Sequence, residues 1–185
     1  MKITKVECFA LLIPDFDADA CSSAQDNLIV KIYTDEGLFG IGETDTNPWV
    51  IKALIQSPGT HTMDQSMKDI LIGKNPLNID DCWKSLYVGT AMTGRRGAGV
   101  NAIGAIDMAL WDIKGKSLDV PVYQLLGGKV RDKVPIYANG WFEGLQSQKE
   151  HAEAAYKIIK EGYKCLKFYP FIGNYVIDNE ALERG

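Results

Sequence analysis

A chain of 185 residues has room for one large domain or two small ones. With 46% apolar and 24% charged residues it has the make-up of an ordinary globular protein, and its net charge of −4 comes with no basic block suited to nucleic acid. The four cysteines, Cys8, Cys21, Cys82 and Cys165, are scattered, which excludes a close-spaced zinc motif and a disulfide scaffold. Reduced thiols and a cytoplasmic location are the expectation. MKITKVE runs straight into a strand pattern rather than a leader, and no apolar run is long enough to span a membrane. His61 and His151 lie in polar, helix-like surroundings and read as surface residues rather than ligands.

Ile3 to Ile13 reads as a strand. Asn27 to Thr34 is a second, with Leu28, Val30 and Ile32 on one face and Ile29, Lys31 and Tyr33 on the other. Asp35-Glu36-Gly37 is a turn, and Leu38 to Glu43 completes an antiparallel meander. The acidic loop Pro14 to Asp26 separates the first two strands. It reads as a solvated connector or, given its length, a functional loop. After the turn-rich TDTNPW, helices are predicted over about Val50–Gln56, from near Thr60 with Asp64, Lys68 and Asp69 on its wet side, and over Ile79–Val88 with Trp83, Leu86 and Tyr87. Pro76 breaks the chain between the last two. Strands followed by helices indicate an α+β unit.

The stretch from Ala98 to Gly128 reads as one long helix and a short turn. Val100, Ile103, Ile106, Leu110 and Ile113 recur at helical spacing, and Ala102, Ala105 and Ala109 fill the remaining surface, so the helix should be buried. Asp107, Trp111 and Lys114 share one face. Asp107 and Lys114 read as a structural hydrogen-bond anchor rather than a catalytic pair, since a buried carboxylate needs a partner and a helix interior is a poor place to meet substrate. Gly97, Gly99 and Gly104 suggest close approach of another backbone. From Lys129 the order becomes strand, helix, strand, helix. Val134–Ala138 is a short strand, and Ser147-x-x-Glu150 is a capping box opening a helix with Ala152, Ala155, Tyr156 and Ile159 on one face. Tyr163–Tyr169 is the next strand and Asp178–Arg184 begins another helix. This order indicates parallel β/α units.

In the strand ending Lys167-Phe168-Tyr169-Pro170, Cys165, Lys167 and Tyr169 share a face, while Leu166 and Phe168 suit a face covered by helices. An ammonium beside a phenol favours the phenolate, so Tyr169 could act as a base with Lys167 as its electrostatic partner. The competing reading makes Lys167 a solvated strand end and Tyr169 a packing residue.

The segment RRGAGVNAIGAIDMALWDIKGKSLDVPVYQLLGG resembles the stretch joining the capping domain to the barrel in the mandelate racemase and muconate lactonizing branch of the enolase superfamily. Arg95 and Arg96 match its RRGG-type opening. The resemblance implies an α+β capping domain over 1–128, a three-stranded antiparallel meander plus a helical bundle. It is followed over 129–185 by the first units of an incomplete TIM-type β/α barrel, which needs about eight strands to close. It also makes Pro14–Asp26 and Thr44–Trp49 the substrate-facing loops. By position, Asp15, Phe16, Asp17, Thr46, Asn47 and Trp49 become substrate-binding candidates, with Tyr87 and Arg95 near the pocket mouth.

The family carries Lys-x-Lys at the end of the second barrel strand, its second lysine being the base. Here Lys167 matches the first position and Tyr169 replaces the second. This departure, with LKFYPF, is similar to acid-sugar dehydratases. The implied reaction is removal of the α-proton of an aldonate or aldarate, followed by β-elimination of water. Mg²⁺ is the implied cofactor. The family's metal ligands lie on later strands, so none is assigned to Asp178, Glu180 or Glu183, and this chain alone is expected neither to bind the metal nor to turn over substrate. An acid-sugar substrate and homo-oligomerisation are the implied partners. A racemase or cycloisomerase, and a catalytically silent capping or oligomerisation module, are the competing readings.

Overall fold

The computed structural model describes residues 1–17 and 25–169. Contacts divide the chain into two compact units, Met1–Lys129 and Val130–Gly185.

In the first unit, β1 (Ile3–Leu12), β2 (Asp26–Thr34) and β3 (Phe39–Thr44) form an antiparallel sheet in the order β1-β2-β3. Val6 pairs with Ile32 and Cys8 with Val30, and on the other side Val30 pairs with Gly42. The alternation seen in the sequence therefore puts Val6, Cys8, Leu28, Val30 and Ile32 on one buried face. Burying each large apolar side chain there contributes about 1.5–3 kcal/mol.

Five helices follow, α1 (Pro48–Gln56), α2 (Met67–Leu71), α3 (Ile79–Gly89), α4 (Ala98–Leu118) and the short α5 (Val122–Leu125). Helices α1, α2 and α4 pack on the sheet, and α3 and α5 pack on α4. Asn47 caps α1, its side chain accepting from the N–H groups of Trp49 and Val50, and Pro48 occupies the first turn, where its missing N–H costs nothing. The helix expected from Thr60 starts only at Met67. Ser66 caps it by accepting from Asp69 N–H, and residues 60–64 form a bridged turn instead. There Asp64 accepts from the hydroxyls of Thr60 and Thr93, which hold its carboxyl below the usual carboxylate range.

Helix α4 is the centre of the core. Ala102, Ile103, Ala105, Ile106, Ala109, Leu110 and Ile113 are fully buried. The close approach expected at three of its glycines occurs at Gly99, where an added methyl would meet the Gly94 carbonyl. At Gly97 and Gly104 the space is open. Asp107 is half-buried. Burial raises its pKa, the neighbouring Asp80 adds to this, and a hydrogen bond with Trp111 opposes it. The Lys114 ammonium stands 5.2 Å from the centroid of the Trp111 ring.

In the second unit, α6 (Gln148–Lys160) opens with the expected capping box between Ser147 and Glu150. Its apolar face is not covered as the pattern suggested. No residue of α6 is fully buried, and Tyr156 and Ile159 are exposed. The strands expected over Val134–Ala138 and Tyr163–Tyr169 reduce to one parallel bridge, Ala138 with Leu166. A ladder needs a partner along its length, and Val134 and Ile136 lie exposed before it begins. The helix expected over Asp178–Arg184 lies outside the described residues. Cys8 and Cys82 are buried free thiols and Cys165 is an exposed one. Burial pushes the Cys8 thiol up to about 11. Among the described residues no helix is long and apolar enough to cross a membrane.

Candidate functional site

Two groups of candidate residues stand in the two units. In the second, Ala138 N–H donates to the Cys165 carbonyl at 3.0 Å, and Lys167 N–H donates to the Ala138 carbonyl at 2.9 Å. This pairing holds the segment extended through Leu166. The Lys167 ammonium stands 5.8 Å from the centroid of the Tyr169 ring, so the two side chains do share a side. Both are exposed. Phe142 meets Tyr169 edge-on at 5.5 Å. Leu166 is half-buried, but Phe168 is exposed and rests against Trp141 at 5.7 Å rather than under a helix. His151 is also more engaged than a surface histidine. It is half-buried, its Nδ1 lies 2.8 Å from the Ser147 carbonyl, and its ring meets Trp141 edge-on at 6.4 Å.

In the first unit the sheet brings the two candidate loops together. Leu12 pairs with Asp26 and Leu28 with Thr44, so β1 ends, β2 begins and β3 ends at one edge of the sheet. Asp17 N–H donates to Gln25 Oε1 and Gln25 Nε2 donates to the Asp17 carbonyl, both at 2.8 Å. This reciprocal pair closes the neck of the first loop. Asp15 and Phe16 are exposed beside it, and residues 18–24 lie outside the described residues. In the second loop, Thr46 Oγ1 accepts from Asn101 Nδ2 of α4 at 2.6 Å, which ties the loop to the first turns of that helix. Trp49 is 58% exposed and Asn47 is occupied as the α1 cap. Asn27 lies at the same edge. Its Nδ2 donates to Glu43 at 2.9 Å, while its Oδ1 is buried and has no hydrogen-bond partner among the described residues.

Tyr87 and Arg95 form a separate stack. The Arg95 guanidinium lies 4.9 Å from the Tyr87 ring centroid, and Tyr87 lies 5.1 Å from Trp83 with the rings 12° from parallel. Sequence reasoning missed Gln25, Asn27, Asn101 and Trp141. Only the Asn101 position carried a signal, as a polar residue opening an otherwise apolar helix. Among the described residues no group of three or more His, Cys, Asp or Glu could hold a metal ion. The described residues therefore offer no carboxylate cluster of the kind a Mg²⁺ ion takes.

A small antiparallel sheet backed by helices, followed by one parallel bridge and α6, is the arrangement of an enolase-type capping domain and the chain that leaves it. The chain belongs to the mandelate racemase/muconate lactonizing enzyme family, and residues 12–127 match the N-terminal domain of that family. It is similar to a D-gluconate dehydratase of Thermoproteus tenax, with 33% identity over 98% of this chain and 35% of the relative. A D-galactonate dehydratase family member of Paenibacillus sp. (strain JDR-2) is 41% identical over 75% of this chain and 32% of its own length. The crystal structure of an enolase superfamily member from Polaromonas sp. JS666 superposes with a TM-score of 0.72 at 32% identity, covering 91% of this chain and 44% of that one. The chain thus spans about a third of the length of the curated relatives it matches.

Proposed function

We propose that this chain is part of an acid-sugar dehydratase, with the capping domain over 1–128 and the opening of the barrel domain over 129–185. The substrate is an aldonate. The observation that carries the reading is the placement of Lys167 and Tyr169 on one side of the segment that follows the parallel bridge. The names of the two relatives support an aldonate over an aldarate.

In this reading Tyr169 takes the proton from C2 of the substrate, with the Lys167 ammonium beside its ring. The electron pair of the broken C2–H bond forms the C2–C3 double bond as the C3–O bond breaks. The departing hydroxyl takes a proton from an acid and leaves as water. The enol so formed tautomerises to a 2-keto-3-deoxy acid. Mg²⁺ belongs to the superfamily generally. Asp15, Phe16, Asp17, Thr46, Asn47 and Trp49, on the two loops of the first unit, are the candidate contacts to substrate hydroxyls. Tyr87 and Arg95, stacked on each other, are further substrate-binding candidates of the first unit. Exposed apolar side chains at Val130, Val134 and Ile136 support association between copies of the protein.

The test uses the complete protein with Mg²⁺, a panel of aldonates and D₂O. Dehydration is expected, with one deuterium taken up at C3 of the 2-keto-3-deoxy product as the enol tautomerises, and Tyr169→Phe should abolish both. Full turnover by Tyr169→Phe would remove the base assignment. Racemisation without loss of water would replace dehydratase by racemase.

A further inference from the structure

We infer that Trp141 is a positioning residue for the Lys167–Tyr169 pair, its indole N–H replacing a missing rung between the two extended segments. The inference rests on the reading of Tyr169 as the base. In a parallel ladder one residue bonds to two residues that flank its opposite number. Ala138 does so, donating to Cys165 and accepting from Lys167. The next rung would run from the N–H of residue 140 to the Lys167 carbonyl. Residue 140 is glycine with φ of +77°, a left-handed conformation that turns the chain out of its extended path. The Lys167 carbonyl instead accepts from Trp141 Nε1 at 2.8 Å. One turn therefore ends the first strand and supplies from a side chain the bond that the backbone no longer makes.

The Trp141 ring is held in place by its surroundings. Phe168 lies 5.7 Å away on one side, and His151 of α6 meets the ring edge-on at 6.4 Å. The next residue, Phe142, meets Tyr169 edge-on. The carbonyl between Lys167 and Phe168 is thus pinned, and the ring two residues on is braced. Small misplacements of a reacting group cost large factors in rate. A side chain that touches neither substrate nor proton can therefore control the proton transfer.

Trp141→Phe keeps a ring and deletes the N–H. In the complete protein it should lower kcat about tenfold, equivalent to about 1.4 kcal/mol and to one hydrogen bond. KM should stay within twofold. A second measurement needs no turnover. The indole N–H resonance of Trp141, assigned by its loss in Trp141→Phe, should exchange with solvent more slowly than that of the exposed Trp49. Exchange as fast as Trp49, or an unchanged kcat in Trp141→Phe beside an inactive Tyr169→Phe, overturns this inference alone. Full turnover by Tyr169→Phe overturns the base reading and this inference with it.

Discussion

A methyl group added to Gly42 would lie 1.8 Å from the carbonyl oxygen of Ala105, and one added to Gly40 would lie 1.9 Å from that of Ala109. Strand β3 can lie directly on the backbone of α4 only because these two residues lack a side chain. Gly42→Ala should therefore force α4 away from the sheet and destabilise the protein by about 3 kcal/mol, read as a lower urea midpoint. Gly104 sits in the same helix with open space around its Cα. Gly104→Ala should leave stability unchanged or raise it by about 0.5–1 kcal/mol, since alanine is the better helix former. In sequence the three glycines looked alike. The alternation of FGIGET marked a strand, but which glycine meets a backbone depends on how α4 crosses β3, and no local pattern encodes that. Lys167 and Tyr169 were legible for the opposite reason. Their shared side follows from the two-residue period of an extended chain, which holds even where only one bridge forms.

Strand β3 pairs with β2 on one side only, and α4 supplies partners for its other edge. Ile41 N–H donates to Asp112 Oδ2 at 2.9 Å, and Lys116 Nζ donates to Asp112 at 2.7 Å and to the Phe39 carbonyl at 2.9 Å. An open edge would invite pairing with another chain. Asp112→Ala removes the acceptor for a backbone N–H and should cost about 1.5–3 kcal/mol, the range for hydrogen bonds to a charged group. Hydrogen exchange should find the Ile41 amide among the first to lose protection. The four-residue spacing of Asp112 and Lys116 was visible in the sequence, but their strand partners were not, because the pairs span about seventy positions.

Helix α6 was legible in its capping box and illegible in its packing. Backbone hydrogen bonds from Gln146 and Ser147 hold Glu150 below its ordinary pKa of 4.5. Folded Glu150 thus releases its proton more readily than it would in the unfolded chain. The box contributes its full stabilisation above about pH 4.5, and that stabilisation is lost as pH falls through the lowered value. The first-turn amides of α6 should lose protection on acidification below pH 4.5. Glu150→Gln, which keeps the box geometry without the charge, should flatten that dependence.

At the scale of the whole molecule, stability is distributed very unevenly. Every residue of the hydrophobic cluster, from Ile3 to Ile113, lies within Met1–Lys129. Among the described residues beyond Lys129, Ala138 is the only buried hydrophobic one. Hydrophobic periodicity predicted the first unit well because its strands and the helices α1 to α4 bury most of the faces that their patterns mark, although Val100 is exposed and α5 buries no residue. It predicted the second poorly because the apolar side chains of its short strands and of α6 lie exposed, so the pattern has nothing to pack against. Folding free energy follows buried apolar area. A fragment of residues 1–129 should therefore fold alone, unfold cooperatively in urea and match the midpoint of the 185-residue chain. In the longer chain, amides of α6 should exchange at least a hundredfold faster than those of α4, since local opening needs little apolar surface to be uncovered there. If the 1–129 fragment instead lost its cooperative transition, the core of the first unit would depend on the second, and the uneven distribution inferred from burial would be wrong.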